Sequence, residues 1–249
     1  QPSEFIKVSL ILCLAKYYHS IPVIEASKIS RMIIPAIITL IPVGLVMIQP
    51  DLGTSIIILI GAGSIFWITG INYKYFISAF ALVCAAIPVG WQYLHNYQKE
   101  RVYTFFNPER DPLGNGYHIM QSKIALGSGG LSGKGYLEGT QSHLNFLPEM
   151  HTDFIFTMFG EEFGFLGTIF LLIVYFSIIL VSFNLAIKSR NSFGKYLSCG
   201  LIFLFFSHVF INIAMVMGLL PVVGVPLPLI SYGGSSMLAT MISFGLIMN

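Results

Sequence analysis

The sequence predicts an all-α polytopic membrane protein, a single transmembrane domain over 1–249 with about seven spanning segments and one large extracytoplasmic loop at 96–153. Three observations predict it. Apolar residues make up 55% of the chain and charged residues only 10%, against roughly 25% charged in an average soluble domain. Mean hydropathy is +0.79. The apolar residues also come in long runs, near the ~20 residues a helix needs to cross a bilayer. The same hydrophobicity excludes disorder, and a net charge of +2 is too mild to argue for nucleic acid.

The segments follow in order. Residues 5–18 form a short, marginal span. Residues 32–50 and 52–70 are two spans meeting at the polar turn Gln49-Pro50-Asp51-Leu52-Gly53. Residues 75–95, 163–187 and 196–220 are three more, and the run 235–249 is cut short. Each must be helical, because lipid offers backbone groups no partner outside the segment. The chain opens on Gln1 and stops inside its last apolar run, so it is expected to be a piece of a longer protein.

Basic residues set the orientation. Lys16, Lys28, Arg31, Lys74, Lys188, Arg190 and Lys195 fall in short connections that the positive-inside rule places in the cytoplasm. Of the 11 acids, all but Glu25 then fall on or near the outer side.

The 96–153 segment has no obvious span and is too long for an ordinary connection, which marks it as functional or disordered. Phe105, Phe106, Tyr117, Ile119, Met120, Ile124, Leu126, Leu144, Phe146 and Leu147 argue against disorder. Gly114, Gly116, Gly127, Gly129, Gly130, Gly133, Gly135 and Gly139 are concentrated here, and such density lets backbone N–H groups approach a ligand. Lys99, Arg101, Arg110, Lys123 and Lys134 are cations on the side that should be poor in them. Two readings stand: they meet an anionic ligand such as a phosphate, or they balance the loop's own acids.

Several familiar chemistries are absent. The run Gly127-Ser128-Gly129-Gly130-Leu131-Ser132-Gly133-Lys134-Gly135 fails the nucleotide P-loop pattern, which needs glycine at Ser128 and a hydroxyl at Gly135. His143 and His151 are eight apart and His208 stands in a span, so no histidine metal site is indicated. Cys13, Cys84 and Cys199 each sit in an apolar run and read as inert packing.

The outer boundary holds the candidates. Glu4 and Lys7 share a helical face at a spacing that allows a pair. Asp51 sits at a turn between spans, and Asp153, in His151-Thr152-Asp153-Phe154, ends the long loop. Each aspartate has two readings: a helix N-cap, or a partly desolvated carboxylate able to act as a base or hold a cation. Glu161 and Glu162 follow in an apolar setting and either pair with the loop's cations or lie in the headgroup region, the second being the expectation. The run 218–236 mixes apolar residues with Pro221, Pro226 and Pro228, so it is a broken stretch. Irregular backbone at that depth lines a cavity, expected to be the one that Asp51 and Asp153 face.

Five strings now carry a resemblance: QPSEFIK at 1–7, QPDLGTS at 49–55, the loop from Asn107 through Gln141, LPEMHTDFIF at 147–156 and GLLPVVGVPLPLISYGGSS at 218–236. In order and spacing they resemble the SEDS family (shape, elongation, division and sporulation) of bacterial membrane proteins, and its rod-shape members more than its division members. The resemblance implies a fold of ten transmembrane helices with a large extracytoplasmic loop, from which this chain lacks about three N-terminal spans and half of the last.

It also implies a peptidoglycan glycosyltransferase that polymerises lipid II during cell elongation and rod-shape maintenance, at the outer face of the bacterial inner membrane. The family's essential aspartate maps onto Asp153, and its other motif residues onto Asp51, Glu4 and Lys7. Asp153 is then the general base, with Mg²⁺ or Mn²⁺ as a cation it could help hold, and no organic cofactor. Arg101, Lys123, Lys134 and the N–H groups of Gly129 and Gly130 are expected to bind the pyrophosphate. Asp51 is assigned to an ion pair with Lys7 that shapes the cavity. Implied partners are a class B penicillin-binding protein and other elongation-complex membrane proteins. The rival reading is a flippase for the same lipid-linked precursor, which would use the same cavity and broken helices.

Overall fold

The computed structural model describes residues 1–49, 51–93, 96–107, 111, 114–140 and 151–249. Arg110, Gln141, His143, Leu144, Phe146 and Leu147 lie outside the described residues. Ten helices run in chain order among the described residues: α1 (Pro2–His19), α2 (Val23–Ala26), α3 (Ile29–Ile48), α4 (Leu52–Ile68), α5 (Tyr73–Tyr93), α6 (Asn96–Phe106), α7 (Asn115–Ser128), α8 (Ile155–Lys188), α9 (Ser192–Val216) and α10 (Gly234–Met248). By length and composition α3, α8 and α9 can each cross a membrane, and α4, most of α5 and α10 are shorter apolar helices. The chain is a multi-pass membrane protein. Helices cover the predicted segments within a few residues, except that α8 begins at Ile155 and not near 163, and α9 stops at Val216.

The chain divides into two compact units: Gln1–Lys99 with Val181–Phe205 and Leu238–Asn249, and Glu100–Leu180 with Phe206–Met237. In the first unit, α1 begins with Pro2 in its first turn, where the missing N–H costs nothing. Small residues let helices close on one another, as in membrane bundles generally. A Cβ on Gly61 of α4 would lie 3.0 Å from Leu204 and 3.3 Å from Ile11. α3 carries Pro35, which cannot bond the carbonyl of Arg31 four residues back. The Tyr17 hydroxyl donates to that carbonyl at 3.0 Å, which repairs the break from outside the helix. Glu25, the acid expected on the cytoplasmic side, is paired with Lys28 at 2.7 Å, and that contact holds its carboxyl below the usual range.

The second unit is built round a break in α8. Gly164 there has φ +64°, a left-handed conformation that favours glycine. An unbroken helix would pair Phe165 N–H with Glu161 O and Leu166 N–H with Glu162 O. Here the turn after α7 supplies partners to all four groups. Phe165 N–H donates to Gly130 O at 2.9 Å and Leu166 N–H to Leu131 O at 3.1 Å. Lys134 and Gly135 N–H donate to Glu161 O and Glu162 O, each at 3.1 Å. The exchange brings backbone against backbone: a Cβ on Gly129 would collide with Gly160 O, and one on Gly133 with Glu162 O.

Candidate active site

Asp153 lies in the turn that leads into α8, half-buried. The three consecutive carbonyls of that turn are each held by a donor. Tyr232 N–H donates to His151 O at 2.9 Å, Ser231 Oγ to Thr152 O at 2.6 Å, and Asn212 Nδ2 to Asp153 O at 2.8 Å. Asn212 also donates to Val225 O at 2.7 Å, and Tyr175 Oη to Pro228 O at 2.6 Å. The irregular stretch after α9, expected from its prolines, is therefore fixed against the Asp153 turn. Gly224, with φ +68°, faces the carboxylate: a Cβ there would lie 3.3 Å from Asp153 Oδ2. Beside the turn a cleft of about 510 Å³ is lined by His151, Ile155, Ser231, Tyr232 and Gly233.

The expected cation cluster is divided by its partners. Lys134 Nζ lies 2.6 Å from Glu161 Oε1 and 2.7 Å from Thr140 Oγ1. The Glu161 side chain is 0% exposed and that of Lys134 26%. This corrects two expectations. Glu161 is not a headgroup residue, and Lys134 is neutralised by it at the α8 break. The Gly129 and Gly130 N–H groups are corrected too, since they donate to Ala125 O and Gly127 O. Gly129 serves close backbone packing and Gly130 a left-handed turn at φ +56°, in place of an anion cradle. Lys123 is exposed, and its ammonium rests against Gly218, which would clash with it if it carried a Cβ. Arg101 stands on α6, half-buried and engaged with neighbours.

Sequence reasoning missed Asn212, Ser231 and His118. The ring of His118 lies 6.3 Å from that of Phe154, next to Asp153. Burial holds its imidazole below the ordinary histidine range, against an opposing pull from Asp111. A buried asparagine inside an apolar span was the readable signal for Asn212; His118 offered none.

Glu4, Lys7 and Asp51 belong to the other unit. Lys7 Nζ lies 2.8 Å from Glu4 Oε1, with the lysine side chain 2% exposed. Asp51 caps α4: its two oxygens accept from Thr54 N–H at 3.0 Å and Thr54 Oγ1 at 2.7 Å. The Glu4–Lys7 pair that the spacing allows is formed, whereas the expected Asp51–Lys7 pair is not, Asp51 adding a longer-range attraction to the ammonium. Among the described residues no three histidine, cysteine or acidic side chains converge in a way that could hold a metal.

The FtsW–RodA–SpoVE family model, described as cell cycle proteins, matches residues 1–249. The chain belongs to that family. Within the FtsW–RodA–SpoVE family it is 45% identical to the peptidoglycan glycosyltransferase MrdB of Escherichia coli K12, covering 100% of this chain and 67% of that protein. It is 39% identical to MrdB of Helicobacter pylori 26695, again over 100% of this chain and 65% of the relative. It is thus about two thirds the length of the curated relatives it matches.

Similar solved structures include two. One is a chain of a peptidoglycan synthase complex in which polymerization and crosslinking are coordinated, with TM-score 0.81 at 33% identity over 100% of this chain and 68% of that one. The other is the rod shape determining protein RodA of Thermus thermophilus, with TM-score 0.67 at 27% identity over 99% of this chain and 64% of that one.

Proposed function

We propose that this chain carries the active site of a peptidoglycan glycosyltransferase, polymerising lipid II at the outer face of the bacterial inner membrane during elongation, with Asp153 as general base. The observation that carries it is the placement of Asp153: a half-buried carboxylate on a turn anchored at three carbonyls and facing Gly224. Kinship with the glycosyltransferases MrdB and RodA supports the reaction class.

Lipid II holds its sugar through an α-linked pyrophosphate, and the polymer is β-1,4-linked, so the step inverts the anomeric carbon. The acceptor 4-hydroxyl attacks C1, its proton passes to an Asp153 oxygen, and the C1–O bond to the pyrophosphate breaks. Base assistance of this kind contributes about 10²–10⁴-fold. Charge on the leaving pyrophosphate would be met by Lys123 and Arg101, while Lys134 holds the loop. The lipid tail would lie between apolar helices. A class B penicillin-binding protein would crosslink the product, in keeping with the synthase complex among the structural relatives.

The test uses the full-length protein with its transpeptidase partner. Labelled lipid II is supplied in vesicles, and both glycan ladders and movement of lipid II between leaflets are followed. Ladders without transbilayer movement are expected. Rapid movement without any ladder would overturn the proposal in favour of a flippase.

A further inference from the structure

We propose that Asn212 is a positioning residue for Asp153, a role that rests on the general-base reading above. Asn212 stands in the apolar run of α9 with its side chain 0% exposed. A buried amide in such a setting is costly unless paired. Both of its N–H groups are paired, to Asp153 O at 2.8 Å and Val225 O at 2.7 Å. Among the described residues its Oδ1 has no hydrogen-bond partner. A residue chosen for packing alone would not keep an orphan acceptor in an apolar core. What the position uses is the pair of donors.

Those two bonds meet the chain at telling places. Peptide units are planar, so the direction of a side chain from its backbone is set by the two units that flank it. Around Asp153 both are fixed: Ser231 Oγ holds Thr152 O before it, and Asn212 holds Asp153 O after it. The second Asn212 bond grips Val225, the neighbour of Gly224, whose missing Cβ leaves the space that Asp153 Oδ2 faces. One amide therefore sets both the aim of the carboxylate and its distance from the wall opposite. Catalytic groups must be held to a fraction of an ångström, and an error of about 1 Å costs on the order of 10²-fold.

The experiment measures steady-state lipid II polymerisation by the full-length protein with its partner, for wild type, Asn212→Ala, Asp153→Asn and the double variant. Asn212→Ala is expected to lower kcat about 10–100-fold with KM within about twofold. The double variant should be no slower than Asp153→Asn, because Asn212 acts through that carboxylate. Unchanged kcat, a rise in KM alone, or a double variant slowed by the full Asn212→Ala factor would overturn the proposal. Asp153→Asn at full rate would instead overturn the base assignment itself. If Asn212→Ala yields no folded protein, Ser231→Ala decides by the same kcat and KM criteria. Failure of both to fold would overturn the proposal in favour of a purely structural amide.

Discussion

Replacing Lys134 by Met tests whether this lysine serves the fold or the substrate. Glu161 is fully buried and its carboxylate lies 2.6 Å from the Lys134 ammonium. Removing one partner of a buried ion pair costs about 3–5 kcal/mol, because the other charge stays behind unneutralised. Glu161 keeps a hydrogen bond from Thr140 at 3.1 Å, and Lys134 is partly exposed, so the lower end, about 3 kcal/mol, applies. At roughly 2–4 °C per kcal/mol that is a fall in melting temperature of about 6–12 °C. Adding Glu161→Gln removes the stranded charge, and the double variant should recover most of the loss together with its activity. The assay is thermal melting of the purified full-length protein followed by intrinsic fluorescence, with polymerisation measured on the same samples. Lys134→Met melting within a degree of wild type but unable to polymerise would refute the reasoning and return Lys134 to the pyrophosphate.

Three further predictions concern Gly224, Asp51 and His118. Gly224→Ala forces a side chain into a left-handed conformation, at about 1–2 kcal/mol, and presses a methyl toward Asp153 Oδ2; activity should fall about tenfold at near-normal folded yield, read by gel-based polymerisation. Asp51→Ala removes the cap of α4 and should cost about 0.5–2 kcal/mol in melting experiments, with Asp51→Ser restoring most of it. Burial holds His118 neutral to lower pH than in an unfolded chain, so the unfolded state takes up protons first as pH falls through about 6.5. Stability should be fully present above that value and decline toward the lower folded value; His118→Gln should flatten the slope in melting experiments from pH 7.5 to 5.

The helices and the irregular stretch after α9 were legible because lipid leaves few options: apolar runs must be helical, and prolines at Pro221, Pro226 and Pro228 must break them. Asp153, Asp51, Glu4 and Lys7 stood out because ionisable groups are rare in such a chain. The glycine-rich turn misled because close approach to a ligand and close approach to another backbone demand the same residue. Only the fold reveals that the partner is the α8 break at Gly164. Lys134 and Glu161 are 27 residues apart, and nothing local links them. The same holds for Asn212, whose two bonds reach back to Asp153 and forward to Val225. A sequence shows that an amide is buried, not which carbonyls it will find.

Asp153 is proposed to take the proton of the acceptor hydroxyl. Its most direct test compares the initial rate of lipid II polymerisation by wild type and Asp153→Asn, at matched folded yield and melting temperature. A loss of about 10²–10⁴-fold with lipid II binding retained is expected. A variant that polymerises within about tenfold of wild type would contradict it, leaving Asp153 a structural turn residue and the base elsewhere.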